Sequence, residues 1–231
     1  MNEHHWIVST ESATLLDFVA SFATPSQLRW IACGFIRRHW AMLRFVRQQN
    51  AVRFAEQWAQ GIANLEELPL MLELLQRDAA DAPLFETYLF QAAVEVLNES
   101  ALEAARRCRE RLIQHAAQEE AYEIPPGLDE SLATQQARVA ESRGQCAVLR
   151  EIIANPFRPL RLQRDWLRHQ DGVAAQLLLL IRREHRFSDL PILADALEDA
   201  GCDQEQLLRH LREPNGHLAG CWALEALHGV V

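Results

Sequence analysis

Four side chains near the C-terminal end, Cys202, His210, His217 and Cys221, have the ligand types that suit zinc: thiolate sulfur and imidazole nitrogen. Their spacing is C-x7-H-x6-H-x3-C, which matches no zinc-finger signature. His217 and Cys221 are four residues apart, so on a helix starting near 217 they share a face. Cys202 follows Gly201 at a helix junction, and His210 falls on the helix between. Three short helices folded on one another would bring the four groups together. The competing interpretation needs no ion: both cysteines are small core residues, His217 caps the last helix after the Pro214-Asn215-Gly216 turn, and His210 is half exposed. His228 is a weaker candidate ligand near the end of the chain. No cofactor is therefore expected; zinc at this group is the one alternative the residues offer.

A second constellation is basic. Arg29, Cys33, Arg37, Trp40, Arg44 and Arg47 fall at i, i+4, i+8, i+11, i+15 and i+18, one stripe down a helix expected over 25–48. Leu28, Ile31, Phe35, Met42, Leu43 and Val46 form the neighbouring apolar face. An arginine stripe with one tryptophan can bind an acidic partner or phosphates, so Arg29, Arg37, Trp40, Arg44 and Arg47 are candidate partner-binding residues. The same pattern also describes a face covered by this protein's own acidic helices. Asp195, Glu198 and Asp199 cluster on the polar side of a helix whose core side is Leu193, Ala194 and Leu197. Paired carboxylates can do acid–base work, but such a face also simply solvates a helix. Asp203 with Gln206 is a capping box.

Several chemistries are excluded. All 23 basic residues are arginine, so a phosphate loop with its lysine and Schiff-base catalysis are absent. There is no G-x-S-x-G, H-E-x-x-H or paired C-x-x-C. The formal net charge of -9 argues against a dedicated nucleic-acid binder. Five widely spaced cysteines, Cys33, Cys108, Cys146, Cys202 and Cys221, predict reduced thiols. The opening MNEHHWIVSTES has neither a basic nor an apolar region of a signal peptide, so a cytoplasmic protein is expected. The longest apolar run, Val173 to Ile181, is far shorter than the roughly 20 residues of a membrane span.

The elements that must position these residues are helices. Ala, Leu, Glu, Gln and Arg recur throughout and no segment sustains a period of two. The pattern predicts helices near 11–22, 25–48, 51–62, 65–77, 82–97, 99–120, 130–154, 166–186, 190–200, 204–212 and 217–228. Thr24-Pro25 is an N-cap followed by Pro at N1. Asn64 precedes an acidic first turn. The YEIPPGL segment, residues 122–128, is the clearest internal loop, and Asn155-Pro156 ends a helix. Asp171-Gly172 interrupts the 166–186 segment, which can be two helices. Charge alternates in blocks, basic over Arg29–Arg53, acidic over Glu56–Glu123, basic over Arg150–Arg186 and acidic thereafter. Such blocks neutralise one another when the helices pack together.

Two stretches carry a resemblance. The first spans residues 1–68, with LLDFV, RWIACGFIRRHW and AEQWAQGIANLEEL. The second runs from LREIIANPFRPL through FSDLPILADALEDAGC to HLREPNGHLAGCWALEAL. Together they resemble a paralogous group of proteins of no assigned activity in planctomycetes and related GC-rich bacteria. That group reads LRLFACACCRRIW in the first stretch and LPILADALEDAGC…GPHVRGCW in the last. Only Cys33 stands where the group often has three cysteines. The resemblance implies a bacterial, intracellular protein and carries no activity, cofactor or catalytic residue.

The expected fold is all-α, an irregular compact multi-helix array with a C-terminal subdomain of short helices. The expected division is residues 1–128 and 129–231. The expected function is a protein-interaction or scaffold module with a protein partner, without nucleic acid or membrane, and enzymatic activity is left open on the side of none. The alternative is a metal-binding regulatory protein or enzyme using Cys202, His210, His217 and Cys221.

Overall fold

Helix signals carry through to the architecture, and it is all-α. The computed structural model describes residues 1–123, 130–214 and 216–230, apart from the side chains of Phe85 and Glu130. Most of the expected 122–128 loop, the 128/129 division and Asn215 lie outside the described residues. Among the described residues twelve α-helices run in order: α1 (Glu3–Val8), α2 (Ser12–Val19), α3 (Pro25–Arg37), α4 (Val46–Ala59), α5 (Leu68–Ala80), α6 (Thr87–Glu95), α7 (Ala101–Glu123), α8 (Glu130–Ile152), α9 (Arg164–Glu184), α10 (Leu190–Asp199), α11 (Glu205–Leu211) and α12 (Trp222–His228). No strand occurs among the described residues.

The contacts divide the chain into two compact units, Met1–Leu149 and Arg150–Val231. The division falls inside α8 and not at the Pro-Pro-Gly segment. Most of α8 belongs with the first unit because polar side chains tie it there. Ser142 accepts from the Ser12 backbone N–H at 3.0 Å, and Gln145 accepts from the Ser12 hydroxyl at 2.8 Å and donates to the Arg109 carbonyl at 3.1 Å.

In the first unit α7 lies along α3 and α6, and α3 also packs on α4. Leu15, Ile31, Phe35, Ile36, Phe90, Leu97 and Leu112 are fully buried there. Thr24 caps α3 as its sequence predicts, with the Gln27 N–H donating to its hydroxyl. The expected helix over 25–48 is broken. α3 stops at Arg37, a 3-10 turn covers Trp40–Met42, and α4 starts at Val46. Glutamines stabilise this break. The Gln48 side chain accepts from the Phe45 N–H at 3.3 Å, and the Gln49 amide donates to the Leu43 carbonyl at 2.8 Å, which satisfies backbone groups at a helix end. The break also allows Leu43 to be buried.

The second unit wraps α9 to α12 around Leu178, Ile181, Leu193, Leu197, Leu207, Leu211, Leu224 and Leu227, with Trp222 in the same core. α9 is kinked where the sequence suggested. His169, Gln170, Asp171 and Gly172 leave helical geometry, and the last three have positive φ. The final helix begins at Trp222, five residues later than expected, so His217 stands in a loop. That loop is what assembles the site.

Candidate metal centre

Three of the four expected ligands converge. His210 lies in the last turn of α11, His217 in the loop after it, and Cys221 is the residue before α12. The fourth member is Glu151 in the last turn of α8, not Cys202. One ligand atom from each of Glu151, His210, His217 and Cys221 lies within 4.8 Å of all the others.

Local geometry explains the convergence. α11 ends at Leu211, and Gly216, with φ of +95°, takes a conformation that a residue with a Cβ rarely adopts. The chain therefore doubles back. His217 returns to the end of α11 and donates from Nε2 to the Glu213 carbonyl oxygen, 2.9 Å away. Glu151 then fixes the loop from outside it, accepting from the Leu218 N–H at 3.3 Å.

Three contacts come close to the donor spacing around a small ion, within a group whose ligand atoms all lie within 4.8 Å of one another. His210 Nε2 is 3.1 Å from Cys221 Sγ and 3.4 Å from Glu151 Oε2, and His217 Nδ1 is 3.3 Å from Glu151 Oε1. Tetrahedral zinc with the usual bond lengths spaces its N, O and S donors roughly 3.3–3.6 Å apart. The surroundings are dry. Cys221 is 0% exposed and Glu151 is 8% exposed. The Trp222 ring stacks on His210 with centroids 4.6 Å apart, and Phe187 flanks His217 at 6.5 Å.

Electrostatics make the cluster unusual. A carbonyl can only accept, so His217 carries a proton on Nε2 and turns Nδ1 to the Glu151 carboxylate. Nδ1 meets that carboxylate through a second proton or through a cation, because a lone pair would repel it. Burial pulls the His217 imidazole down, but the Glu151 hydrogen bond and the Glu213 carbonyl outweigh it and hold its pKa above the usual histidine value. Burial holds His210 below that value, with Glu151 opposing and His217 adding. Burial also pushes the Cys221 thiol well up, and Glu151 adds to the shift.

The Cys221–His210 contact has the separation of a nucleophile and its base. The thiol is completely buried and raised, however, and a carboxylate occupies the same imidazole nitrogen. That sulfur is closed to solvent.

Cys202 sits elsewhere in the unit. Gly201, with φ of +86°, closes α10, and the Cys202 N–H donates to the Leu197 carbonyl at 2.9 Å. The side chain belongs to the apolar core and lines a cleft with Glu198, Asp203, Leu208 and Arg212. His210 is 9% exposed, not half exposed, and His217 caps no helix. His228 is the last residue of α12 and is not a member of the group. Glu151 left one trace in the sequence: it is an acid in LREII, a segment whose Leu149, Ile152 and Ile153 are all buried.

The arginine stripe does not exist as one face, because the helix that would carry it is broken at Arg37. Each arginine has an internal partner. Arg29 is buried, stacks on Trp58 at 3.7 Å and donates to the carbonyls of Val96, Asn98 and Glu99. Arg37 makes a forked pair with Glu56, 2.7 Å on both arms. Arg44 reaches Glu86 at 3.6 Å and Arg47 pairs with Asp78. Trp40 is half-buried, with the Arg37 guanidinium 3.9 Å and that of Arg53 5.3 Å from its ring. Asp195 and Glu198 both accept from Arg212, which makes them a paired surface group. All five cysteines are buried and none is in a disulfide. No described helix is long and apolar enough to cross a membrane.

Scans against known protein families, curated proteins and solved structures find no match.

Proposed function

We propose that residues 150–231 form a metal-binding unit that takes one zinc ion through Glu151, His210, His217 and Cys221. The observation that carries this reading is the convergence of two imidazoles, a thiol and a carboxylate, all buried or nearly so, within 4.8 Å. Buried polar groups of this kind need a partner that compensates them, and a dication supplies one. Two nitrogens, one sulfur and one carboxylate oxygen favour a borderline ion over calcium or magnesium, which prefer all-oxygen sites.

Four protein ligands complete a tetrahedron and leave no open position for substrate, so the ion's role is structural or regulatory. It would join the end of α8, the end of α11 and the start of α12. The scaffold reading drew its support from the Arg29–Arg47 stripe, and those side chains are engaged within the molecule.

Zinc competition against a chromophoric chelator tests the proposal. Wild-type protein and Cys202→Ser should each bind one equivalent, while Cys221→Ser and His210→Ala should bind none at the same free zinc. Equal binding by wild type and Cys221→Ser would contradict the proposal.

A further inference from the structure

We propose, resting on the metal reading above, that Glu213 is the outer residue that fixes both histidines for the ion: its main-chain carbonyl holds His217 and its carboxylate holds His210. Each imidazole has two nitrogens, and an ion takes one of them only when the other has a defined partner. For His217 the partner is settled by chemistry. Nε2 lies 2.9 Å from the Glu213 carbonyl, which accepts and cannot donate, so Nε2 bears the proton and Nδ1 is the ligand atom.

For His210 the orientation is reversed. Its Nε2 is the atom that meets Cys221 Sγ at 3.1 Å and Glu151 Oε2 at 3.4 Å, so Nε2 is the ligand atom. Its Nδ1 points the other way, toward the Glu213 carboxylate, whose Oε2 stands 3.8 Å off. The Glu213 side chain is 56% exposed, and at 3.8 Å it makes an ion-pair contact and not yet a hydrogen bond; in the proposed site it closes on Nδ1–H when the ion is bound. His210, Glu213 and the ion then form a carboxylate–histidine–metal chain, which orients the ring and makes the ligand nitrogen more basic.

The sequence spacing serves this double role. Glu213 is three residues after His210, so its carboxylate can reach back along the end of α11. It is four residues before His217, and the Gly216 turn returns His217 to its carbonyl. Substitution of Glu213 removes the carboxylate and keeps the carbonyl, so it separates the two roles. Glu213 is thus a positioning residue and not a ligand.

Zinc affinity of the full chain, by chelator competition, should fall about 10–100-fold in Glu213→Ala. Glu213→Gln, whose amide oxygen still accepts from Nδ1–H, should recover part of the loss. The melting temperature without metal should not change, since the side chain is mostly in solvent. Two-bond nitrogen–proton NMR correlations of the zinc-loaded protein should show His210 bound through Nε2 and His217 through Nδ1, with the His217 pattern retained in Glu213→Ala. Wild-type affinity in Glu213→Ala, with wild type binding zinc, overturns this inference and leaves the metal reading standing. So does binding of His210 through Nδ1. Failure of the wild type to bind zinc overturns both.

Discussion

A carboxylate that is 8% exposed and faces two imidazoles and a thiol needs positive charge beside it. Glu151 is therefore the residue on which the centre turns. Glu151→Gln keeps an acceptor for the Leu218 N–H and removes the charge, so the unit should fold while zinc affinity falls by at least about tenfold. Isothermal titration with zinc checks this, and an unchanged affinity contradicts it. His210, His217 and Cys221 were legible because they cluster in twelve residues of sequence. Glu151 was not, because its partners are a long loop of chain away and nothing local marks them. Cys202 fits the group in residue type and in sequence neighbourhood, but its place in the apolar core separates it from the other three. A second residue-scale expectation concerns His115 in the first unit. It is buried, neither ring nitrogen has a hydrogen-bond partner, and the His39 ring lies 5.6 Å away. Burial first, then His39, lowers its pKa to about 4, with Glu141 opposing; Glu119 stands 3.9 Å off on the same helix. Glu141 itself is held by Arg38 and His39, at 3.1 and 3.3 Å. The unfolded chain takes up the proton near the ordinary histidine value of about 6.5, and the folded chain does not until about 4. Stability is therefore full above the first value and declines as pH falls to the second, by about 3 kcal/mol as an order of magnitude. His115→Leu should flatten that decline in urea unfolding compared at pH 7.5 and 4.5. Equal losses in wild type and variant would count against it.

At the scale of elements, helix signals in sequence place most of the helices, and two of the departures have identifiable reasons. α1 was missed because Asn2 caps a helix of only six residues, held by one buried side chain, Trp6. The α3–α4 break was missed because it contains neither Gly nor Pro; it is made by Gln48 and Gln49 side chains bonding backbone groups. The break decides the fate of the arginines. Arg29 becomes a tie from α3 to the chain after α6, and Arg37 a tie from α3 to α4. Arg29→Met should lower the melting temperature, since the buried Val96 carbonyl left unpaired costs about 1–3 kcal/mol and the stacking on Trp58 is lost. Arg44 is 70% exposed and 3.6 Å from Glu86, so Arg44→Glu should cost at most about 1 kcal/mol. Thermal unfolding of the two variants checks the ranking. Similar losses for both would mean that Arg29 is not the tie described.

The whole molecule is two compact units, and the proposed ion belongs to one of them. That unit has a leucine-rich core of its own, so it does not depend on metal to fold as an isolated zinc finger does. Zinc at a hundred times its dissociation constant should still stabilise it by about 2.7 kcal/mol through mass action. Hydrogen exchange with and without zinc should localise that gain to the end of α8 from residue 150, α11, α12 and the loop between them, and leave residues 1–149 unchanged. Equal protection of both units would contradict a site confined to the second. The most direct test is X-ray absorption at the zinc edge of the zinc-loaded full chain. Four-coordinate zinc with one sulfur near 2.3 Å and three nitrogen or oxygen donors near about 2.0–2.1 Å is the predicted result. Two sulfurs, which would return Cys202 to the centre, or a six-coordinate ion with no sulfur, would contradict it.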